Sequence, residues 1–469
     1  MTCAPRAAAA TALAVVGSRI VALGDRRAAA RAAGAGAETI DCRGATVLPG
    51  LVDPHLHLFA LAARAAHLDC AGLDDLHAVL EAVRARVASL APGVWLRGEG
   101  LDEARLGRLP TAAQLDRVAP RNPVRLRHRS RHASVLSRRA LACLPRGLGN
   151  TRGLVAGHED LVGAAVGPLD AAEIAAGFAR TSRELAALGI TTVADATPRR
   201  RAGLAPLRRT IDSGAFAQRV FAMRPWNAAP WRGRGRLHPG PVKIMVEETP
   251  TGLVPDHREL ARRIRFAAGR GAQVAVHCVG AATLVAALDA FAALPAHARR
   301  GRRHRLEHVA ECPPPLVARI AALELMVVTN PAFVYWRGDV YRKETEGAAR
   351  AWLYRAASLV AAGIAVAAAS DAPVVSPDPW LGIAAARMRR TCEGHVLGVR
   401  ERVSGAQALG FVTTHAARAL HADRLGRLVP GAPADVIVVT PDPVRAPAAG
   451  VRETTVQLTM IGGRLVWQA

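Results

Sequence analysis

The middle of the chain alternates short apolar runs with stretches rich in Ala, Leu and Arg, the rhythm of parallel strands joined by helices. Eight strands are read, within VLPGLVDPHLHL, GITTVADAT, QRVFAMRP, VKIMVEE, QVAVHCVG, HRLEHVA, LMVVTNP and IAVAAASDAP. Eight is the number that closes a (β/α)8 barrel. The two ends of the chain have a different texture. TALAVVG, RIVALG and ETIDCRGATVLPG at one end, and GRLVPGAPADVIVVT and TTVQLTMIGGRLVWQA at the other, are short β-type runs broken by Gly. The pattern predicts an α/β protein in which a TIM-like barrel over residues 49–423 is flanked by a small β-sandwich built jointly from 1–48 and 424–469. The interval of roughly 66–178, between the first and second strands, is too long for one crossover helix and is expected to be an inserted capping subdomain.

Composition narrows the classes. A chain of 469 residues, 51% hydrophobic, has room for a barrel of ~250 residues with additions. The formal net charge of +24 invites a nucleic-acid reading, but the Arg residues are scattered, with no basic stripe interleaved with aromatics. Of the 62 Lys and Arg residues only Lys243 and Lys343 are lysines, so the excess reads as arginine on solvated faces and no nucleic-acid partner is expected. Seven widely spaced cysteines without a C-x-x-C pair argue against a disulfide framework or a Cys-built zinc site, and fit a reducing compartment. The Ala-rich start runs into strand-like VVGSRIVALGD, and no apolar run reaches the ~18 residues of a membrane span. A soluble cytoplasmic protein acting on a small molecule is the expectation, with a homo-oligomer left open.

In such a barrel the chemistry sits at the C-terminal ends of the strands. Asp53, His55 and His57 close the first, Lys243 lies within the fourth, His277 and His308 close the fifth and sixth, and Asp371 follows the eighth. Residues two apart on a strand share a face roughly 6.6 Å apart, so His55 and His57 can converge on one divalent cation such as zinc. Lys243 stands out in a chain that otherwise uses Arg. An amine that sheds its proton when desolvated can take up CO2 as a carbamate, an anion able to bridge two ions. The plainer reading is a charged neighbour, with Glu247, four residues on, as the substitute carboxylate. Asp371 can bind the metal, accept a proton from activated water and return it to a leaving amine; its alternative is a helix N-cap in S-D-A-P.

PGLVDPHLHL, VKIMVE, VAVHCVG, RLEHVA, ASDAP and the tail GRLVPGAPADVIVV resemble the amidohydrolase superfamily. More closely, the chain is similar to its amidohydrolase-3 branch, which includes N-substituted formamide deformylases. GVWLRGEGLDEARL, LPTAAQLDRVAPRNPVRLRHRSRHASVLSRRAL and SDAPVVSPDPWLGIAAA match that branch too, so the resemblance covers nearly the whole length. It implies a barrel with a composite sandwich and one or two metal ions. His55, His57, His277, His308 and Asp371 carry over as ligands, with Lys243 as a carboxylated bridge. One block departs: after the fourth strand this chain reads Glu247-Glu248-Thr-Pro-Thr-Gly, where the branch usually has Asp-Gly. His132 matches a histidine the branch places near its site, and Arg97, Asn330, Trp336 and Arg337 are candidates to line the mouth. The leading function is metal-dependent hydrolysis of a non-peptide carbon–nitrogen bond in an amide, formamide or cyclic amide. A one-metal deaminase or deacylase comes second, and a binding barrel without catalysis third.

Overall fold

The computed structural model describes residues 10–129, 132–145, 147–148 and 152–469. The chain forms two compact units, Met1–Phe59 with Ser182–Ala469, and Ala60–Thr181.

The larger unit contains the eight apolar runs as parallel strands: β1 (Leu51–Leu56), β2 (Ile190–Asp195), β3 (Arg219–Pro225), β4 (Leu237–Ile244), β5 (Val274–Cys278), β6 (Arg305–His308), β7 (Met326–Thr329) and β8 (Val366–Ala368). Their order across the sheet follows the chain from β1 to β8. The two edge strands meet through the segments that follow them, where Asp371 N donates to His55 O at 2.9 Å and His57 N to Ala372 O at 2.7 Å. The barrel interior is filled by small or slender side chains, among them Val52, Ala194, Ala275, Val328 and Ala367, together with Ala416, Ala417 and Leu420 around the helix Thr414–Ala419. Alanine suits this place because it fills a narrow barrel without forcing rotamers.

Beside the barrel, strands Thr46–Pro49, Val436–Thr440, Thr455–Ile461 and Arg464–Gln468 form an antiparallel sheet in which the first pairs with the second. The hairpin Ala12–Val16/Arg19–Gly24 packs on it through Ile20, Leu428, Ala432, Ala434 and Val436. The approach is close: a Cβ on Gly463, at φ 76°, would lie 1.8 Å from Gly17 O, so only glycine fits there. Arg219 of β3 reaches across to Asp435, with Nε–Oδ2 at 3.1 Å.

The second unit, Ala60–Thr181, has its own sheet of Leu68–Asp69, Leu96–Leu101, Val124–His128, Ala133–Leu136 and Leu154–Ala156. Helices Leu76–Val87 and Ala112–Val118 supply Val79, Val83 and Leu115 to its separate core with Leu96, Val124 and Leu126. Among the described residues no single helix is long and apolar enough to cross a membrane.

Candidate active site

β1 runs buried into the site and carries His55, and His57 follows directly on its end with the two ring centroids 5.8 Å apart. Their Nε2 atoms lie 3.5 and 3.2 Å from Asp371 Oδ1. The Lys243 ammonium, projecting from β4, sits with Nζ 3.3 Å from His55 Nε2. The His308 ring stands 4.8 Å from that of His55 and 4.6 Å from that of His277. Strands β1, β4, β5, β6 and β8 thus bring four imidazoles, one amine and one carboxylate together. The ligand atoms of His55, His308 and Asp371 fall within 4.8 Å of one another.

Two of these side chains are presented by strained backbone. His308 has φ 69° and Asp371 φ 60°, left-handed conformations that disfavour any residue with a Cβ. Each costs about 1–3 kcal/mol, and such strain gathers where a side chain must be aimed against local preference.

A second layer of side chains orients the ligands. His55 Nδ1 donates to the Glu307 carboxylate, which also receives Arg305 Nε at 2.6 Å. Arg305, fully buried, donates further to Pro54 O at 2.8 Å and Ala419 O at 3.1 Å. His57 Nδ1 pairs with Thr197 Oγ1 at 2.8 Å, and His308 Nδ1 donates to Asn330 Oδ1 at 2.8 Å. Asn330 Nδ2 is spent on Ala369 O at 3.1 Å, which leaves its oxygen to face the imidazole. In all three histidines Nδ1 is engaged and Nε2 is left for the cluster, the division of labour that ligation requires. Asp53 accepts from the Ser370 hydroxyl and from His55 N at 3.1 Å, so it ties the segment carrying Asp371 to β1.

Burial dominates the electrostatics. It pushes the Lys243 ammonium down to about 8, opposed by the charges of Glu307 and Asp371. Burial, reinforced by Lys243, brings His277 down to about 4 and holds His55 well below the usual histidine range. His308 is likewise well below it, through burial and the neighbouring His55 and His277. Burial raises Asp53 to about 6 against the bonds from Ser370 and His55, and Asp195 to about 6 against those from Thr197 and Leu58.

These groups fit a cation. Asp371 Oδ1 is buried without a hydrogen-bond partner, although two imidazole nitrogens face it. With Nδ1 of His55 donating elsewhere and the ring held neutral, lone pairs confront lone pairs across 3.5 Å. That arrangement is repulsive on its own and attractive around a positive ion.

The remaining candidates are placed differently. Arg97 lies in the second unit, ion-paired with Glu173 and donating to Val166 O and Pro168 O, both at 3.2 Å. Its guanidinium is committed inside that unit. His132 is also there, exposed at the entrance to Ala133–Leu136. Asn330, expected at the mouth, is instead 1% exposed and orients His308. Trp336 and Arg337 ride on the helix Pro331–Glu344: Trp336 is 48% exposed beside Tyr335, and Arg337 lies 5.8 Å over the Tyr341 ring. Glu247 requires a correction. β4 ends at Ile244, and Glu247 opens the exposed hairpin Glu247–Thr249/Gly252–Val254, so the same-face spacing with Lys243 does not apply. Asp371 caps no helix; Asp378 does that for Pro379–Met388. Sequence reasoning missed Glu307, Arg305 and Thr197. The visible signal for the first two was R-L-E-H, opposite charges two apart inside an apolar strand.

Residues 38–467 match the amidohydrolase family. The N-substituted formamide deformylase of Arthrobacter pascens is 27% identical over 530 aligned residues, covering 99% of this chain and 96% of that protein. A solved metal-dependent hydrolase from Pyrococcus furiosus superposes with a TM-score of 0.74 at 26% identity, covering 92% of this chain and 95% of that one. A metal-dependent hydrolase from Pyrococcus horikoshii OT3 shares the fold at 22% identity, with a TM-score of 0.74 and coverage of 93% and 94%. A match from residue 38 to 467, laid over a barrel with these strand ends, places the chain in the amidohydrolase family, as a hydrolase acting on carbon–nitrogen bonds.

Proposed function

We infer that this enzyme hydrolyses a small non-peptide amide or formamide, using a zinc-like divalent cation held by His55, His57, His277, His308 and Asp371. Lys243, once carboxylated, would supply the further carboxylate oxygens that a second ion needs. The observation that carries the reading is the buried, unpartnered Asp371 Oδ1 facing two neutral-leaning imidazoles. When bound, a divalent cation supplies Lewis acidity, which brings proton loss from water towards neutral pH and polarises a substrate carbonyl.

The chain's own groups account for the remainder. The Asp371 carboxylate would take the proton that water loses and return it to the leaving nitrogen, so that water adds across the carbon–nitrogen bond to give acid and amine. Glu307, Thr197 and Asn330 hold three imidazoles with Nε2 inward before substrate arrives, which spares reorganisation during the reaction. The depressed Lys243 amine has a neutral fraction at working pH, the form that condenses with CO2. The similarity to a formamide deformylase makes N-substituted formamides the first substrates to try.

A one-ion enzyme is the second reading, favoured by the compact trio of His55, His308 and Asp371. Elemental analysis of protein purified without chelator, beside a Lys243→Ala variant, separates the two. Metal content that falls by about one equivalent or more in the variant, with formate released from N-substituted formamides, is expected for the bridged site. Metal content indifferent to the substitution supports the one-ion form, and no metal after incubation with zinc and bicarbonate overturns both.

A further inference from the structure

A separate cluster of ligand-type side chains lies where the loop after Pro379–Met388 meets the helix Pro331–Glu344. The loop reads Thr391-Cys392-Glu393-Gly394-His395 and is closed by Thr391 N to His395 O at 2.8 Å and Gly394 N to Thr391 O at 3.0 Å. It seats on the helix through Cys392 N, which donates to Tyr335 O at 2.9 Å. One turn on from Tyr335 stands Asp339, so the face that receives the loop also presents a carboxylate to it. Gly338 makes the approach possible, since a Cβ there would meet Thr391 Cγ2 at 2.5 Å.

The donors converge on Asp339. Its Oδ1 accepts from His395 Nδ1 at 2.9 Å and Thr391 Oγ1 at 2.7 Å; its Oδ2 accepts from Cys392 Sγ at 3.4 Å and Glu393 N at 3.3 Å. Glu393 Oε2 is 3.9 Å from His395 Nδ1, and the ligand atoms of Asp339, Glu393 and His395 lie within 4.8 Å of one another. Arg342 is a competing cation, but its Nη1 stays 3.9 Å from Asp339 Oδ1. A bare turn-stabilising aspartate would need no thiol, second carboxylate and imidazole around it. Cys392 Sγ adjoins the trio of Asp339, Glu393 and His395 through its 3.4 Å contact with Asp339 Oδ2. Sulfur and nitrogen donors beside two carboxylates, with a Cys-x-x-His spacing, are the donor types that suit zinc rather than calcium or magnesium.

We propose that Asp339, Cys392, Glu393 and His395 form a second metal site, separate from the barrel cluster, that takes a zinc-like divalent cation and clamps the loop to the helix. Binding replaces the Cys392 S–H proton by the ion and releases it, while the His395 proton moves from Nδ1, where it faces Asp339, to Nε2 and leaves the Nδ1 lone pair for the metal. The clamped helix starts directly after Asn330, the residue that orients His308. The site therefore steadies one support of the catalytic cluster without contributing a ligand to it.

Cobalt(II) alone, titrated into the metal-free full-length protein, tests this. None of the barrel ligands carries sulfur, so a thiolate-to-cobalt charge-transfer band in the near ultraviolet distinguishes a cysteine-bound ion from one in the barrel cluster. The band is expected to saturate once the barrel ligands and this site are both filled, within about three equivalents, to vanish in Cys392→Ser, and to need at least about tenfold more cobalt in His395→Ala. Both side chains are exposed, so both variants should retain the wild-type circular dichroism spectrum. Absence of the band in the wild type overturns the proposal. So does a band that survives Cys392→Ser, which would assign the thiolate to another free cysteine, such as exposed Cys143 or Cys278 beside His277.

Discussion

Glu307 links a ligand to the core, because it holds His55 on one side and Arg305 on the other. In Glu307→Gln the imidazole keeps an acceptor but loses the charge behind it, so zinc affinity should fall about 10–100-fold in a chelator competition. The same change strands the buried Arg305 guanidinium, which should cost about 3–5 kcal/mol in denaturant unfolding. Adding Arg305→Met to Glu307→Gln separates the two effects: stability should recover while zinc affinity stays low. Recovery of both would reduce Glu307 to a structural counter-ion. At this scale the sequence disclosed what stood at strand ends. His55, His57, His277, His308, Asp371 and Lys243 were each visible as a ligand-type residue ending or interrupting an apolar run. Asn330 was misplaced because T-N-P after a strand looks like loop lining, and nothing local tells that its amide turns inward to His308. Arg97 misled similarly, since its partner Glu173 lies 76 residues away.

Among the elements, the eight strands were legible because each is a short apolar run between Gly or helix-forming stretches. The end of β4 was not, because VKIMVEE has no breaker before its glutamates, yet the strand stops at Ile244. The seat of the 391–395 loop was invisible for another reason: Asp339 and Cys392 are 53 positions apart and only the fold joins them. Gly338 measures that seat. Gly338→Ala should gain about 1 kcal/mol of helix propensity. The new methyl would press on Thr391 Cγ2, and Thr391 cannot swing away while its hydroxyl is bonded to Asp339 at 2.7 Å. Overpacking of this kind costs about 1–3 kcal/mol, so the net expectation is a loss of up to about 2 kcal/mol, read from the denaturation midpoint. A gain in stability would show that the loop yields.

Across the whole molecule, several histidines are held neutral by burial. His304 is clear: Nδ1 accepts from Val274 N at 3.0 Å, Nε2–H donates to Ala298 O at 2.8 Å, and burial pulls its pKa below the usual value. His277, at about 4, His55 and His308 are depressed for the same first cause. An unfolded chain protonates these rings near pH ~6.5 while the folded one resists, so the unfolded state binds more protons below that pH. Stability is therefore intact above pH ~6.5 and lost progressively as the pH falls towards the folded values. The melting temperature of the metal-free protein should drop between about pH 7 and about pH 5, and the repulsion within a chain of formal charge +24 sharpens the fall. Asp53 and Asp195, raised to about 6 by burial, act in the opposite sense below that pH, so the clearest fall is expected between about pH 7 and about pH 6. An unchanged melting temperature there would mean that these rings titrate as ordinary exposed histidines do.

The pairing of Thr46–Pro49 with Val436–Thr440 also has a consequence in time. A ribosome delivers the first strand long before the second, so throughout elongation the nascent chain carries an unpaired apolar edge whose partner does not yet exist. The barrel strands can associate in turn as they emerge, each beside its predecessor, but this sheet cannot be completed until translation has passed Val436. Stalled or cleaved products that stop short of it keep the edge open. They are the species that chaperones and proteases would have to intercept first.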